Sequence, residues 1–358
     1  MKLLTRHLGR EIYFSIALVF AALLVLFAFM DLIRELKVVG QGEYHFGYVL
    51  MFVILNIPGH IYELFPVAVL VGAILALVQM AAGSELTIYR ASGASLWQMM
   101  GALSKIALPL VVLGFVSGEY VAPPSEQAAK QLRMKAQNAQ VTLKEFRSGV
   151  WAKDGPSFVN VKSVMLDTSL SDVNIYRFDE THHLQAIINA KRASFIGENR
   201  WKLESVLETR FDKQGTNISA SDSQEWHSAL TPGLLSVLLV VPEQMSAYDL
   251  YQYTRHLKDN RQKSVRYEIA MWSKLAYPFV LMVMLLLALP FASYHRRAGG
   301  IGAMVFMGIV LGLVFHLAGR MFASLGALND WQPFISATAM TGLFLLLGMI
   351  LLWWTERR

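Results

Sequence analysis

Long apolar stretches without acidic or basic side chains recur along this sequence. Examples are Ile12–Met30, Leu275–Tyr294 and Trp331–Thr355. A helix needs about 20 apolar residues to cross the hydrocarbon core of a bilayer, which is about 30 Å thick. The chain is 54% hydrophobic, whereas soluble domains rarely go much above about 50%. The sequence therefore predicts an α-helical integral membrane protein.

Residues 44–84 leave the number of spans open, because Glu63 is the only Asp, Glu, Lys or Arg among them. As one helix they would measure roughly 60 Å at 1.5 Å per residue, about twice the thickness of the core. They form either two spans or one span with an interfacial lead-in. Pro58 and Pro66 mark positions where such a helix can kink.

Basic clusters decide between these alternatives, because lysine and arginine concentrate in cytoplasmic loops. Such clusters lie before the first span, after the fourth span and at the end of the chain. All three lie on the same side of the membrane only if residues 44–84 form one span. We therefore predict six spans with both termini in the cytoplasm. The formal net charge of +6 fits this rule and attraction to anionic lipid, and nothing indicates nucleic-acid binding. The clusters are Lys2, Arg6 and Arg10; His295, Arg296 and Arg297; and Arg357 and Arg358.

The segment between spans three and four differs in kind, because it is polar and holds most of the charge of the chain. Apolar and polar residues roughly alternate at 157–164, 173–178 and 201–206, as in half-buried strands. Short strands over about 140 residues predict a β-sandwich or jelly roll on the outer side of the membrane. The predicted domains are residues 1–121 with spans one to three, 122–265 with the jelly-roll-like all-β domain and flanking helical segments, and 266–358 with spans four to six.

The sequence carries no motif of an enzyme. It lacks cysteine, a G-x-x-x-x-G-K-[ST] phosphate-binding loop, an H-E-x-x-H zinc motif and a G-x-S-x-G nucleophile elbow, and its nine histidines are scattered. We therefore expect no catalytic residue, no metal site and no cofactor in this chain.

The connection between spans two and three, residues 84–95, is cytoplasmic in the six-span topology. Ser84 is a good N-cap, and Glu85 would then lie in the first helical turn, where the helix dipole favours a carboxylate. The segment is either a surface loop against the headgroups or a short helix, about residues 84–93, that docks into a groove of a soluble partner. The residues predicted to carry that docking are Ser84, Glu85, Leu86, Tyr89 and Arg90.

Charged residues also cluster where span one ends on the outer side. Asp31, Arg34 and Lys37 follow one another three residues apart. They either pair locally while reaching the interface, or form a basic rim that holds phosphate groups of a lipid. Lys130 and Arg133 lie on the same side, just past span three, and would either complete the rim or form a solvated helix face.

Span five contains His316 and Arg320, which are four residues apart and therefore share a helix face. Ionisable side chains within spans usually face the protein interior or a cavity. Asp31, His316 and Arg320 are thus candidates for lining a cavity. An alternative for Arg320 is that it reaches the membrane interface.

Several short stretches spread over the chain resemble the LptF/LptG family, the paired permease subunits of the lipopolysaccharide export ABC transporter. Each stretch is weak alone, and together they are specific. They are Gly40-Gln41-Gly42, Ser84-Glu85-Leu86 with Ala91-Ser92-Gly93, Val121-Ala122-Pro123 with Glu126-Gln127, Trp151-Ala152-Lys153-Asp154-Gly155, and Met271-Trp272-Ser273-Lys274.

The resemblance implies six spans and a periplasmic β-jelly roll in the inner membrane of a Gram-negative cell. It implies an LptF-like permease as partner, two LptB-like ATPase subunits that bind ATP and magnesium, and LptC-like and LptA-like proteins that continue the path toward the outer membrane. The segment around Glu85 would be the coupling helix that engages the ATPase. Lys37, Lys130 and Arg133 would contact lipid phosphates, and Arg34 would take the role of a basic residue that the family carries at position 31.

Two other functions fit parts of the sequence. A lipoprotein-releasing or peptide-exporting permease also carries a domain between spans, but usually has four spans. A non-transporting membrane scaffold for envelope assembly would need neither an ATPase partner nor a lipid cavity.

Overall fold

The computed structural model describes most of the chain, from residue 2 to residue 356. The described ranges are residues 2–85, 88, 96–136, 141–142, 149–164, 169–179, 181, 183–197, 199–212, 215–231, 242–294 and 300–356. Within them, six helices are long and apolar enough to cross a membrane, so the six-span prediction is confirmed.

Nine α-helices build the described part of the membrane domain and its outer connections. Span three continues through a π-helical turn, Ser117–Val121, into α4, so one helical element covers residues 98–133. The helices are α1 Lys2–Leu36, α2 Phe46–Ala82, α3 Leu96–Val116, α4 Ala122–Ala136, α5 Ala247–Asp259, α6 Val265–Leu287, α7 Leu289–Tyr294, α8 Ile301–Leu328 and α9 Pro333–Glu356.

Helix α2 is a single continuous element that contains both Pro58 and Pro66. Its 37 residues correspond to about 55 Å, so it extends beyond the hydrocarbon core. It is also the central helix: 78% of its most apolar stretch is buried, against 11% for α1 and 17% each for α8 and α9. Helices α1, α4, α6 and α8 pack around it. Residues 44–84 therefore supply one span with a lead-in, the alternative that the basic clusters favoured.

Glycines allow α1 and α8 to approach α2 closely. A Cβ atom on Gly72 of α2 would lie 2.5 Å from the Cα of Ile16 on α1. On α8, a Cβ atom on Gly308 or Gly312 would lie 2.8 Å from the side chain of Ile74 or Val67 of α2. No real carbon contact is that short, so these crossings require glycine.

The Gly72→Ala variant should lose stability, because α1 must move away from α2 to admit the added methyl group. Overpacking of this kind costs about 1–3 kcal/mol, and we expect a lower Tm of the purified complex. The control is Gly342→Ala on α9, where an added Cβ atom meets nothing within 4 Å. Equal Tm values for the two variants would contradict the close crossing of α1 and α2.

The inserted domain contains seven described strands in one antiparallel sheet. Strands β1 and β2 both pair with one edge of β3, and β3 to β7 follow one another across the sheet in chain order. The inserted all-β domain is thus confirmed, and the three predicted strands lie within β3, β4 and β6. The strands are β1 Val141–Thr142, β2 Val150–Asp154, β3 Ser157–Val164, β4 Leu170–Phe178, β5 Leu184–Gly197, β6 Arg200–Asp212 and β7 Gly215–His227.

The sheet curls around one apolar face. The Oδ1 atom of Asp154, at the end of β2, accepts a hydrogen bond of 3.1 Å from the backbone N–H of Ala229, just after β7. Trp201 of β6 is fully buried on this face, and its Nε1 donates to the carbonyl of Leu230 at 2.8 Å. The ends of the sheet therefore close over a core to which strands β2 to β7 contribute.

Candidate functional sites at the outer rim and the cytoplasmic connection

Two carboxylates organise the C-terminal end of α1. Asp31 and Glu35 are four residues apart, so they share one face of the helix, and both side chains are buried. Asp31 accepts a hydrogen bond from Arg34 and lies 2.5 Å from Nε2 of His60 on α2. The Arg34 side chain remains 64% exposed, so its guanidinium has donors free to face the outside.

Glu35 joins α1 to α4 and to the loop that follows α1. Its Oε1 lies 3.1 Å from Nη1 of Arg133, and its Oε2 accepts a hydrogen bond of 2.9 Å from the hydroxyl of Tyr44. Burial, together with the hydrogen bond to Glu35, raises the pKa of Tyr44, so this hydroxyl stays protonated. The guanidinium of Arg133 also lies over the ring of Phe52, 5.7 Å from its centroid.

The Gly40-Gln41-Gly42 stretch builds the turn that places Tyr44. Gly40 and Gly42 have φ angles of +90° and +61°, in the left-handed region that favours glycine. The backbone N–H of Gly40 donates to the carbonyl of Tyr44 at 3.0 Å, and the N–H of Glu43 donates to the carbonyl of Ala136 at 2.7 Å. The turn therefore fixes the chain between α1 and α2 against the end of α4.

The two predicted lysines of the rim have different environments. Lys37 is exposed one residue past α1, and it has no ion-pair partner among the described residues. Lys130 donates to the side-chain oxygen of Gln244, in the 3₁₀ turn Pro242–Gln244 that precedes α5. Asp31 and Glu35 hold Arg34 and Arg133, Lys130 lies one turn before Arg133, and Lys37 follows α1 directly. All four predicted cations therefore lie in or just after the C-terminal halves of α1 and α4.

His316 and Arg320 of α8 both face α2. His316 Nε2 lies 3.4 Å and Arg320 Nη2 lies 3.7 Å from the same Oε1 of Glu63. All three residues line a cavity of about 480 Å³ between α2, α6, α8 and α9. The cavity-lining alternative for Arg320 thus agrees with its position, while Asp31 lies instead in the carboxylate pair at the end of α1.

At the cytoplasmic connection, the structure describes Ser84, Glu85 and Ile88, whereas Leu86, Tyr89 and Arg90 lie outside the described residues. The carbonyl of Ser84 accepts a hydrogen bond of 3.1 Å from the N–H of Ile88, as the N-cap residue of a helix does. Its φ of +62° is left-handed instead of extended, because Ser84 also ends α2. Glu85 is about half exposed and lies 2.9 Å from Nε2 of His7 on α1.

Sequence reasoning missed several partners of these residues. His60, Tyr44, His7 and Gln244 carry no local pattern that links them to the rim or to the cytoplasmic connection. Glu63 did carry a signal, since it is the only charged residue in a long apolar stretch, and such residues usually face a partner within the protein.

Taken together, the fold defines a multi-pass membrane protein with a β domain inserted between its third and fourth spans and a cluster of paired arginines and carboxylates where α1 and α4 meet. The family described as lipopolysaccharide export system permease LptF/LptG matches residues 6–354. The chain therefore belongs to the LptF/LptG family, as the motifs predicted.

Curated relatives agree with this assignment. The lipopolysaccharide export system permease protein LptG of Escherichia coli K12 is 35% identical over 352 residues, covering 98% of this chain and 97% of the relative. LptG of Haemophilus influenzae is 33% identical over 356 residues, covering 99% and 98%. Both relatives carry the name of the LptG member of the pair.

Proposed function

We propose that this chain is the permease subunit that extracts lipopolysaccharide from the inner membrane and passes it toward the periplasmic side. The observation that carries the proposal is the family match across nearly the whole chain, combined with a rim of cations at the outer ends of α1 and α4. Phosphate groups of a glycolipid that sits in the outer leaflet would lie at this depth. The domain inserted between spans three and four would then receive the lipid.

The exposed apolar helices support a second permease as partner. Helices α1, α8 and α9 bury 11–17% of their most apolar stretches within this chain. We propose that an LptF-like subunit covers part of this surface and encloses the lipid cavity with it. Two LptB-like subunits would bind ATP and magnesium on the cytoplasmic side, and LptC-like and LptA-like proteins would continue the path beyond the β domain.

The geometry of the rim suggests how it binds and releases substrate. In the structure, Asp31 and Glu35 pair with Arg34 and Arg133. A lipid phosphate offers more charge and more acceptor oxygens than a carboxylate, and guanidinium binds it with two parallel hydrogen bonds. Phosphate would therefore draw the exposed Arg34 away from Asp31, and the carboxylate would recover the arginine after the lipid leaves.

The Glu85→Ala variant should uncouple the permease from its ATPase. A charge-assisted contact at a subunit interface contributes at least about 1.5 kcal/mol, which corresponds to roughly a factor of ten, so we expect stimulation of the ATPase by the permease to fall about tenfold. The control is Glu11→Ala, which removes another carboxylate near the cytoplasmic end of α1. Normal ATPase stimulation and transport by Glu85→Ala, at normal complex levels, would refute the coupling role.

A photocrosslinking residue at Leu36 tests the substrate in living cells. Leu36 is 46% exposed and adjoins Lys37, so the probe leaves the four rim cations in place. We expect a lipopolysaccharide adduct at this position. A lipoprotein or peptide adduct would instead support the alternative export functions, and a folded complex without any lipid adduct would favour the scaffold.

A further inference from the structure

The chain returns from the β domain to the membrane through the 3₁₀ turn Pro242–Gln244 and helix α5, and Glu119 of span three holds this return. The Oε2 atom of Glu119 accepts a hydrogen bond of 2.8 Å from the backbone N–H of Ala247, and its Oε1 accepts one of 3.3 Å from the N–H of Tyr248. The partners are 128 and 129 residues apart in the sequence. The contact therefore joins the entry to the β domain with its exit.

Helix α5 also has a cap of its own. The Oγ of Ser246 accepts a hydrogen bond of 3.0 Å from the N–H of Asp249, and its hydroxyl donates to the Asp249 carboxylate at 2.7 Å. First-turn N–H groups lack partners within a helix, and a carboxylate there is stabilised by the helix dipole. Ser246 satisfies the N–H of Asp249, whereas Glu119 accepts from the two N–H groups before it. Glu119 therefore completes the cap of α5 and also links this helix to span three.

The backbone around Glu119 is held by contacts with two other helices. It belongs to the π-helical turn Ser117–Val121, where the buried Lys274 of α6 donates to the carbonyl of Gly118 at 3.0 Å. A Cβ atom on Gly118 would lie 2.1 Å from the ring of Tyr62 on α2, and the Lys274 ammonium lies 5.0 Å from that ring. The turn is thus held between α2 and α6. Lys274 belongs to the Met271-Trp272-Ser273-Lys274 stretch that resembles the family, and this stretch takes no part in the rim or in the connection after α2.

A second link between the same elements involves a rim cation. Lys130 of α4 donates to Gln244, two residues before Ser246. A phosphate bound at the rim competes with Gln244 for the lysine, because it is the stronger acceptor. The link through Glu119 contains no rim cation, so it persists while the rim is occupied.

We propose that Glu119 is a positioning residue for the transfer step: it keeps the exit of the β domain aligned with span three while the lipid passes from the rim to the sheet. This inference rests on the proposed function. It assigns to Glu119 neither contact with substrate nor contact with the ATPase.

The test separates loading of the rim from transfer to the β domain. Complexes carry a photocrosslinking residue at Leu36 or at Phe195, which is partly buried against the core of the sheet. The substitutions are Glu119→Ala, Glu119→Gln and Ser246→Ala. The glutamine keeps one acceptor oxygen, and Ser246→Ala weakens the cap of α5 without touching the link. The readouts are complex level, ATPase rate and the lipopolysaccharide adduct at each probe.

For Glu119→Ala we expect the adduct at Phe195 to fall about tenfold, the factor for one charge-assisted hydrogen bond, with the adduct at Leu36 and the ATPase rate unchanged. Glu119→Gln should recover part of the adduct, and Ser246→Ala should stay within about twofold of the parent. An unchanged adduct at Phe195, a parallel loss of all readouts in Glu119→Gln, or an equal loss in Ser246→Ala would overturn the positioning role. Absence of the Leu36 adduct in the unsubstituted complex would refute the proposed function, and this inference with it.

Discussion

Replacing Trp201 with alanine is expected to destabilise the β domain by about 3–5 kcal/mol, the range for removing a large aromatic side chain from a core. Trp201 is fully buried, contacts Phe195 edge to face and lies beside Trp226. Its Nε1 also satisfies the carbonyl of Leu230, which closes the sheet after β7. Limited proteolysis of the assembled complex, read by cleavage within residues 141–231, would report the loss.

A graded series makes this result specific. Trp201→Phe keeps an aromatic ring but loses the hydrogen bond, so it should cost less than alanine. Trp151→Ala removes a tryptophan that is 51% exposed and stacked on Tyr176, and it should cost under about 1 kcal/mol, since exposed positions contribute little. Equal protease sensitivity of Trp201→Ala and Trp151→Ala would show that the sheet does not close around Trp201.

The second prediction with a large expected effect concerns the reversal of the charge at position 34. In Arg34→Glu, a third carboxylate would join Asp31 and Glu35 at the end of α1, and it would repel a lipid phosphate. A lost charge-assisted contact corresponds to a factor of roughly ten to a hundred. We expect the lipopolysaccharide adduct at Leu36 to fall by at least about tenfold.

Arg34→Ala should give a smaller loss than Arg34→Glu, because it removes the attraction without adding repulsion. The control for both is Arg255→Ala, an exposed arginine of α5 on the same side of the membrane. An adduct that survives Arg34→Glu, or that falls equally in Arg255→Ala, would remove Arg34 from the substrate path.

The number of spans was predictable because it depends on properties that a sequence displays directly. Apolar length gave the spans, and the basic clusters decided that residues 44–84 form one span despite Pro58 and Pro66. Prolines in spans are tolerated when neighbouring helices re-satisfy the backbone, and α2 is the most enclosed helix of the described chain. Strands β3, β4 and β6 were predictable for a similar reason, because apolar and polar residues alternate along each of them.

Strand β7 was not predicted, because its residues are almost all exposed and polar. Its conformation comes from pairing with its neighbour β6 along nearly its whole length, and not from an apolar face of its own. The π-helical turn at Ser117–Val121 was not predicted either. The Gly118 carbonyl in this turn accepts a hydrogen bond from Lys274, which lies 156 residues away in the sequence.

The presence of charged residues near the end of α1 was predictable from the sequence, but their ion-pair partners were not. The sequence showed Asp31 and Arg34 at helical spacing, and the pairing of Glu35 with Arg133 and Tyr44 arises only when the turn at Gly40–Gly42 folds back on α4. The contact between Glu85 and His7 was likewise not predictable, because the two residues are 78 positions apart in the sequence.

Reconstituted transport tests the central claim most directly. The chain would be assembled in proteoliposomes with an LptF-like permease and an LptB-like ATPase, together with lipopolysaccharide and its periplasmic acceptor proteins. We predict that lipopolysaccharide appears on the acceptor over time, that its appearance requires ATP hydrolysis, and that Glu85→Ala and Arg34→Glu each abolish most of it. An assembled complex that hydrolyses ATP but leaves all lipopolysaccharide in the vesicle would contradict the account.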